Sequence, residues 1–102
     1  MILHVVMLRL RADPDRAELS DVMAGLAALV DRIPGFVGFE HGPNIDAEHK
    51  SPDFPYGFVC RFASADALAA YAANPTHQGL GARLVALCDG GGDGIMVYDL
   101  SL

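Results

Sequence analysis

The spacing of apolar positions divides the chain into strands and helices. Between Ile2 and Arg11 the residues alternate, with Ile2, His4, Val6, Leu8 and Leu10 on one face and Leu3, Val5 and Met7 on the other. This predicts a strand that is apolar on both faces for most of its length. The period then lengthens: Leu19, Val22, Met23, Leu26, Leu29, Val30 and Ile33 recur at helical spacing. Asp13 is the expected cap of this helix, with Pro14 at its first position, where a missing N–H costs nothing. Pro34-Gly35 ends it. Phe36–Pro43 reads as a second strand anchored by Phe36 and Phe39, residues 44–55 as a surface loop, and Tyr56–Phe62 as a third strand. In that third strand Tyr56, Phe58, Cys60 and Phe62 share one face.

Ser64 is positioned to cap a helix over Ala65–Ala73, whose stripe is Leu68, Ala72 and Tyr71. A residue before proline is pushed out of the helical basin, so this helix should stop at Asn74. Another can start at once, with Asn74 as cap and Pro75 at the first helical position, and run to about Cys88. Asp89–Gly94 is a glycine-rich turn, and Ile95–Leu100 is the closing strand. The order β-α-β-β-α-α-β over residues 1–102 is that of an α+β, ferredoxin-like domain: a four-stranded antiparallel sheet with helices on one face. Helices on one side leave the other apolar face uncovered. A symmetric homodimer, sheet against sheet, is the expected remedy.

Composition narrows the partners. Of the 102 residues 52% are hydrophobic, which predicts a packed globule, and the net charge of −6 argues against nucleic acid or an anionic membrane surface. Neither a signal peptide nor a membrane-spanning run is read. Cys60 and Cys88 form no C-x-x-C and fit a reduced, cytoplasmic protein.

The candidate chemistry lies at Tyr71–Gly81, where two helices meet. His77 falls in the first turn of the second helix. Unpaired N–H groups and the positive dipole end there disfavour imidazolium, so a neutral, proton-accepting ring is expected. Tyr71, at the end of the preceding helix, can line the same cavity and donate a hydrogen bond to a developing enolate. The residue types alone favour the plainer reading, a histidine that caps backbone and a core tyrosine. His4 on an apolar strand face reads as a core histidine, or as a second group aimed at that cavity. His41, His49, Glu40 and Glu48 match no compact metal-ligand spacing, and Gly90-Gly-Gly92 lacks both the dinucleotide spacing and a P-loop lysine, so neither metal nor cofactor is expected.

Several segments in register are similar to the stress-responsive A/B barrel (Dabb) family, one of the dimeric α+β barrel groups. They are His4-Val-Val-Met-Leu, Ile33-Pro-Gly-Phe-Val, Phe39-Glu-His-Gly-Pro-Asn44, Phe58-Val-Cys-Arg-Phe62, Ala70-Tyr-Ala-Ala-Asn-Pro-Thr-His77 and Val97-Tyr-Asp99. The resemblance implies a ferredoxin-like subunit whose sheets pair into a dimeric barrel. Plant polyketide cyclases of this family close an aldol ring with a histidine and a tyrosine that match His77 and Tyr71; the pocket histidine of their first strand matches His4. By the same register Val6, Leu8, Val22, Met23, Leu26, Phe39, Tyr56, Phe58, Leu80 and Gly81 line the pocket. Asn74 stands where the family's frequent H-P-x-H begins, and Tyr56 replaces a further pocket histidine of the cyclases. The implied function is a cofactor-free cyclase, isomerase or lyase acting on a small carbonyl compound. The alternatives are a small-molecule-binding or stress-response protein without turnover and, ranked lower, a cofactor-free monooxygenase.

Overall fold

A computed structural model describes residues 1–102. Strands β1 (Ile2–Leu8), β2 (Phe36–Pro43), β3 (Tyr56–Phe62) and β4 (Ile95–Ser101) form one sheet in the order β2-β3-β1-β4, with every pair antiparallel. Helices α1 (Arg16–Ala27), α2 (Ala65–Ala73) and α3 (Pro75–Leu87) complete the β-α-β-β-α-α-β order. The ferredoxin-like α+β expectation therefore holds.

Three boundaries differ from the sequence reading. Helix α1 is capped by Asp15, not Asp13: the Asp15 carboxylate accepts from the N–H of Glu18, 3.0 Å away. Asp15 stands three residues before Glu18, the spacing at which an N-cap side chain accepts a backbone N–H of the first turn. Nor does α1 run to Ile33. After Ala27 the chain tightens into i→i−3 bonds (Leu29 N to Leu26 O, Val30 N to Ala27 O), then turns through Asp31 at φ +66° and Gly35 at φ +84°. Leu29 and Ile33 remain buried, so their helical spacing reports burial and not helix. Strand β1 ends at Leu8 because Arg9 and Arg11 leave β3 and bond the backbone at Gly94, Asp89 and Leu87.

One hydrophobic cluster fills the space between helices and sheet, built from Val6, Leu8, Phe58, Cys60 and Phe62 below and Leu19, Val22, Met23, Leu26, Tyr71, Leu80, Leu84 and Leu87 above. Arg83 fastens α3 to α1 with a bidentate grip on Glu18 and a further bond to Asp21. That hydrogen-bonded guanidinium holds the Glu18 carboxyl below the usual carboxylate range.

Registers place Leu3, Val5, Met7, Val59, Met96, Tyr98 and Leu100 on the opposite face, which no helix covers. Tyr98 and Leu100 are 50% and 49% exposed there. The loop after β2 is tied down. Asn44 Nδ2 reaches Ser51 Oγ and the Phe54 carbonyl, and the Asp46 carboxylate accepts the N–H groups of Lys50 and Ser51. It walls a cleft of about 520 Å³ floored by Val5 and Met7 and bounded by Met96 and Tyr98. A neighbouring cleft of about 260 Å³ lies beside Gly42 and Gly57, which pair across β2 and β3. No helix is long and apolar enough to cross a membrane.

Candidate active site at the junction of α2 and α3

The junction forms as its residues dictate. Helix α2 is capped by Ser64, whose hydroxyl accepts from Ala67 N–H, and stops at Asn74, which takes an extended conformation before Pro75. The Asn74 side chain then accepts the N–H of His77 at 3.0 Å, so one residue both ends α2 and starts α3. His77 is thereby fixed in the first turn of α3. Its ring packs on that of Tyr71, with centroids 3.9 Å apart.

Tyr71 is only 1% exposed. Its ring lies among Phe36, Phe62 and His4, at centroid separations of 5.2, 5.0 and 5.7 Å. The single polar partner of its hydroxyl is the Cys60 thiol, 3.8 Å away. Burial and then the neighbouring thiol push the Tyr71 hydroxyl well above its ordinary value, so it is a proton-bearing donor. Burial pushes the Cys60 thiol up to about 12, which removes it as a nucleophile.

For His77, burial lowers the pKa, the carbonyls of Ala72 and Tyr71 act in the opposite sense, and the charge of His4 lowers it further. The ring is therefore neutral at neutral pH. Its Nδ1 is sealed from solvent and, although the Ala72 and Tyr71 carbonyls lie near enough to the ring to favour its charged form, it makes no hydrogen bond of good geometry. The ring as a whole is half-buried, so Nε2 is the nitrogen that meets the outside.

His4 is held from the far end of the chain. Its Nδ1 lies 2.5 Å from Asp99 Oδ1, and the two residues are directly paired across β1 and β4. The helix-side face of β4 beside them is open: Val97 is 47% exposed and the Asp99 side chain 45%.

His4, Tyr71 and His77 thus converge. Of the other positions read from the sequence, Val6, Leu8, Val22, Met23, Leu26, Phe58 and Leu80 belong to the packed core, and Phe39 lies at its margin. Gly81 faces open space, since a Cβ there would meet nothing within 4 Å. Tyr56 sits apart. It pairs with Leu8 while Cys60 pairs with His4, which puts it four residues along β3, roughly 13 Å away. There it bonds His41, with Nδ1 and the hydroxyl 2.6 Å apart, forming a second histidine–tyrosine pair at the sheet's other end. Sequence reasoning did not single out Asp99, Cys60 or the His41 pairing. The one available signal was that Asp99 and Cys60 share with His4 the helix-side parity of their strands.

The comparisons fit this architecture. A dimeric ferredoxin-like protein of unknown function from Jannaschia sp. CCS1 is 46% identical, with 99% of this chain and 98% of that one covered and a TM-score of 0.93. The hydroxynitrile lyase of Passiflora edulis shares the fold at 14% identity (99% and 92% covered, TM-score 0.81). So does SnoaB, a cofactor-independent oxygenase from Streptomyces nogalater, at 21% identity (99% and 89% covered, TM-score 0.69). No curated protein matches the chain in sequence. The pattern of the stress-responsive A/B barrel domain matches residues 2–102, and the chain belongs to that family, Dabb.

Proposed function

We propose that this protein is a homodimer that takes a small, enolisable carbonyl compound beside His77, at the junction of α2 and α3, and rearranges it by proton transfer without a cofactor. The observation that carries the reading is the His77 ring, kept neutral, stacked on a buried phenol and turned so that only Nε2 is available. A neutral imidazole with one free nitrogen can take the proton next to a carbonyl. The C–H electron pair then becomes the new C=C bond and the carbonyl π pair moves to oxygen. Tyr71, which holds its proton firmly, donates a hydrogen bond to that oxygen once a shift of the junction brings its hydroxyl within reach. The fold's occurrence in a lyase and in a cofactor-independent oxygenase shows that this architecture hosts chemistry, and fold alone does not select which. The dimer is supported by the uncovered apolar sheet face and by the dimeric relative at 46% identity.

A second reading, binding without turnover, is favoured by the depth of Tyr71: a ligand meets its hydroxyl only after the junction shifts. Turnover on a panel of poly-β-keto and enol-lactone substrates separates the two. His77→Ala is expected to lose on the order of 10²-fold or more in rate, and Tyr71→Phe to lose rate while keeping the fold. Equal rates in wild type and both variants overturn the catalytic reading.

A further inference from the structure

Gly79 and Gly81 stand in the body of α3, and nothing around them asks for glycine. Neither has a positive φ, and a Cβ at either position would meet no atom within 4 Å. Gly25 on α1 is the contrast: a Cβ there would lie 2.8 Å from Leu80, so the approach of α3 to α1 requires that glycine. In a helix interior a glycine makes the formed turn roughly fivefold less favoured than alanine does. The two glycines of α3 flank Leu80, the one buried side chain between Pro75 and Gly81. Leu80 meets α1 at Gly25, where no side chain interlocks with it.

The two halves of α3 are held very differently. Beyond Gly81, Arg83 grips Glu18 and Asp21 on α1, the backbone N–H and guanidinium of Arg11 donate to the carbonyls of Leu87 and Ala86, and Leu84, Leu87 and Cys88 are buried. Before it, His77 lies on the Tyr71 ring with its Nδ1 shut away from water and in no hydrogen bond of good geometry. A buried polar atom left in that state costs free energy that solvent would relieve. The closed position of this half therefore carries a penalty that an open one does not.

We infer that residues 74–81 are a lid over Tyr71, which bends away at Gly79 and Gly81 while the rest of α3 stays on α1. The inference rests on the reading of Tyr71 and His77 given above, and it names the segment whose movement the depth of the Tyr71 hydroxyl demands. The lid has a hinge at each end. Asn74 breaks the chain of helices with an extended backbone, and the two glycines soften the turn around Leu80. Closed, the lid presses the His77 ring on Tyr71; open, it clears the hydroxyl for a ligand and lets water reach Nδ1.

Two cysteines read this movement without a substrate. Cys60 contacts the Tyr71 hydroxyl beneath the lid, Cys88 caps the anchored end of α3, and both are fully buried. Iodoacetamide labelling of the native protein is followed at each cysteine by peptide mass spectrometry across low urea concentrations. Cys60 should react on the order of tenfold faster than Cys88 or more, with little urea dependence, because a local opening exposes little surface. Gly79→Ala and Gly81→Ala, which add a methyl to open space, should each slow Cys60 roughly fivefold. Labelling of both cysteines at one rate, with the urea slope of global unfolding, overturns the lid. So does local labelling of Cys60 that neither alanine slows, which puts the opening elsewhere. With a substrate that wild type turns over, kcat/KM should fall in the alanine variants by the same factor as Cys60 labelling, since only the open fraction binds; an unchanged kcat/KM overturns the lid as the gate and leaves the His77 reading intact. If wild type turns over nothing, that reading falls, and the labelling alone decides the lid.

Discussion

At the scale of single residues, the environment of His77 makes a prediction about stability that needs no substrate. Its folded pKa lies below the ordinary value of 6.5, chiefly because burial penalises the charged ring. Below that value the unfolded chain binds a proton that the folded chain refuses, so folding loses free energy as pH falls from 6.5 toward the folded value. Above 6.5 this contribution is constant. Thermal melts at pH 8 and pH 5 should therefore show wild type losing more stability on acidification than His77→Ala; equal losses would mean that the ring is freely protonated in the folded state. The sequence signalled a neutral His77 through its place in the first turn after Asn74-Pro75. It gave no sign of Asp99 as a partner, because the two residues are 95 positions apart and meet only through sheet register. Cys60 was hidden for a different reason. The contact that defines its surroundings comes from Tyr71, on another element.

Among the elements, the hinge between α2 and α3 rests on Asn74. Its side chain accepts the His77 N–H while its extended backbone satisfies the residue that follows, Pro75. Asn74→Ala should lower stability by about 1 kcal/mol, the usual cost of losing such a cap, and should loosen His77 against Tyr71. Chemical denaturation measures the first and His77 ring relaxation the second; an unchanged midpoint would show that Pro75 alone sets the helix start. Strands and breaks were the legible part of the fold, since alternation and Pro or Gly punctuation mark them locally. The end of α1 was not legible. Leu29, Val30 and Ile33 keep helical spacing through turns that bury two of them, and a hydrophobic stripe cannot tell a helix from tight turns packed on the same core.

For the molecule as a whole, the uncovered sheet face is the surface on which the proposed dimer is tested. Val5, Met7, Met96, Tyr98 and Leu100 share that face, Tyr98 and Leu100 half exposed, and a contiguous apolar patch marks an interaction surface. Sedimentation of the wild type at micromolar concentration should give twice the 10.8 kDa subunit mass. Tyr98→Asp should shift it to the subunit mass with an unchanged circular dichroism spectrum, because Tyr98 is half exposed within the subunit and its loss opens no cavity there. A monomeric wild type would overturn the dimer. This feature was legible from the double-faced apolar alternation of β1, whereas the clefts beside Gly42, Gly57 and the Asn44–Phe54 loop depend on how that loop folds over the sheet.

The place of β1 in the sheet also bears on how the chain is made. It lies between β3 and β4, so its two partners are synthesised after it, and the second arrives roughly 90 residues later. At ordinary elongation rates that wait is on the order of ten seconds. Throughout it a strand apolar on both faces has at least one edge without a partner. The emerging polypeptide is then the form most prone to self-association, and the interval is one in which chaperone capture protects the eventual yield of folded protein.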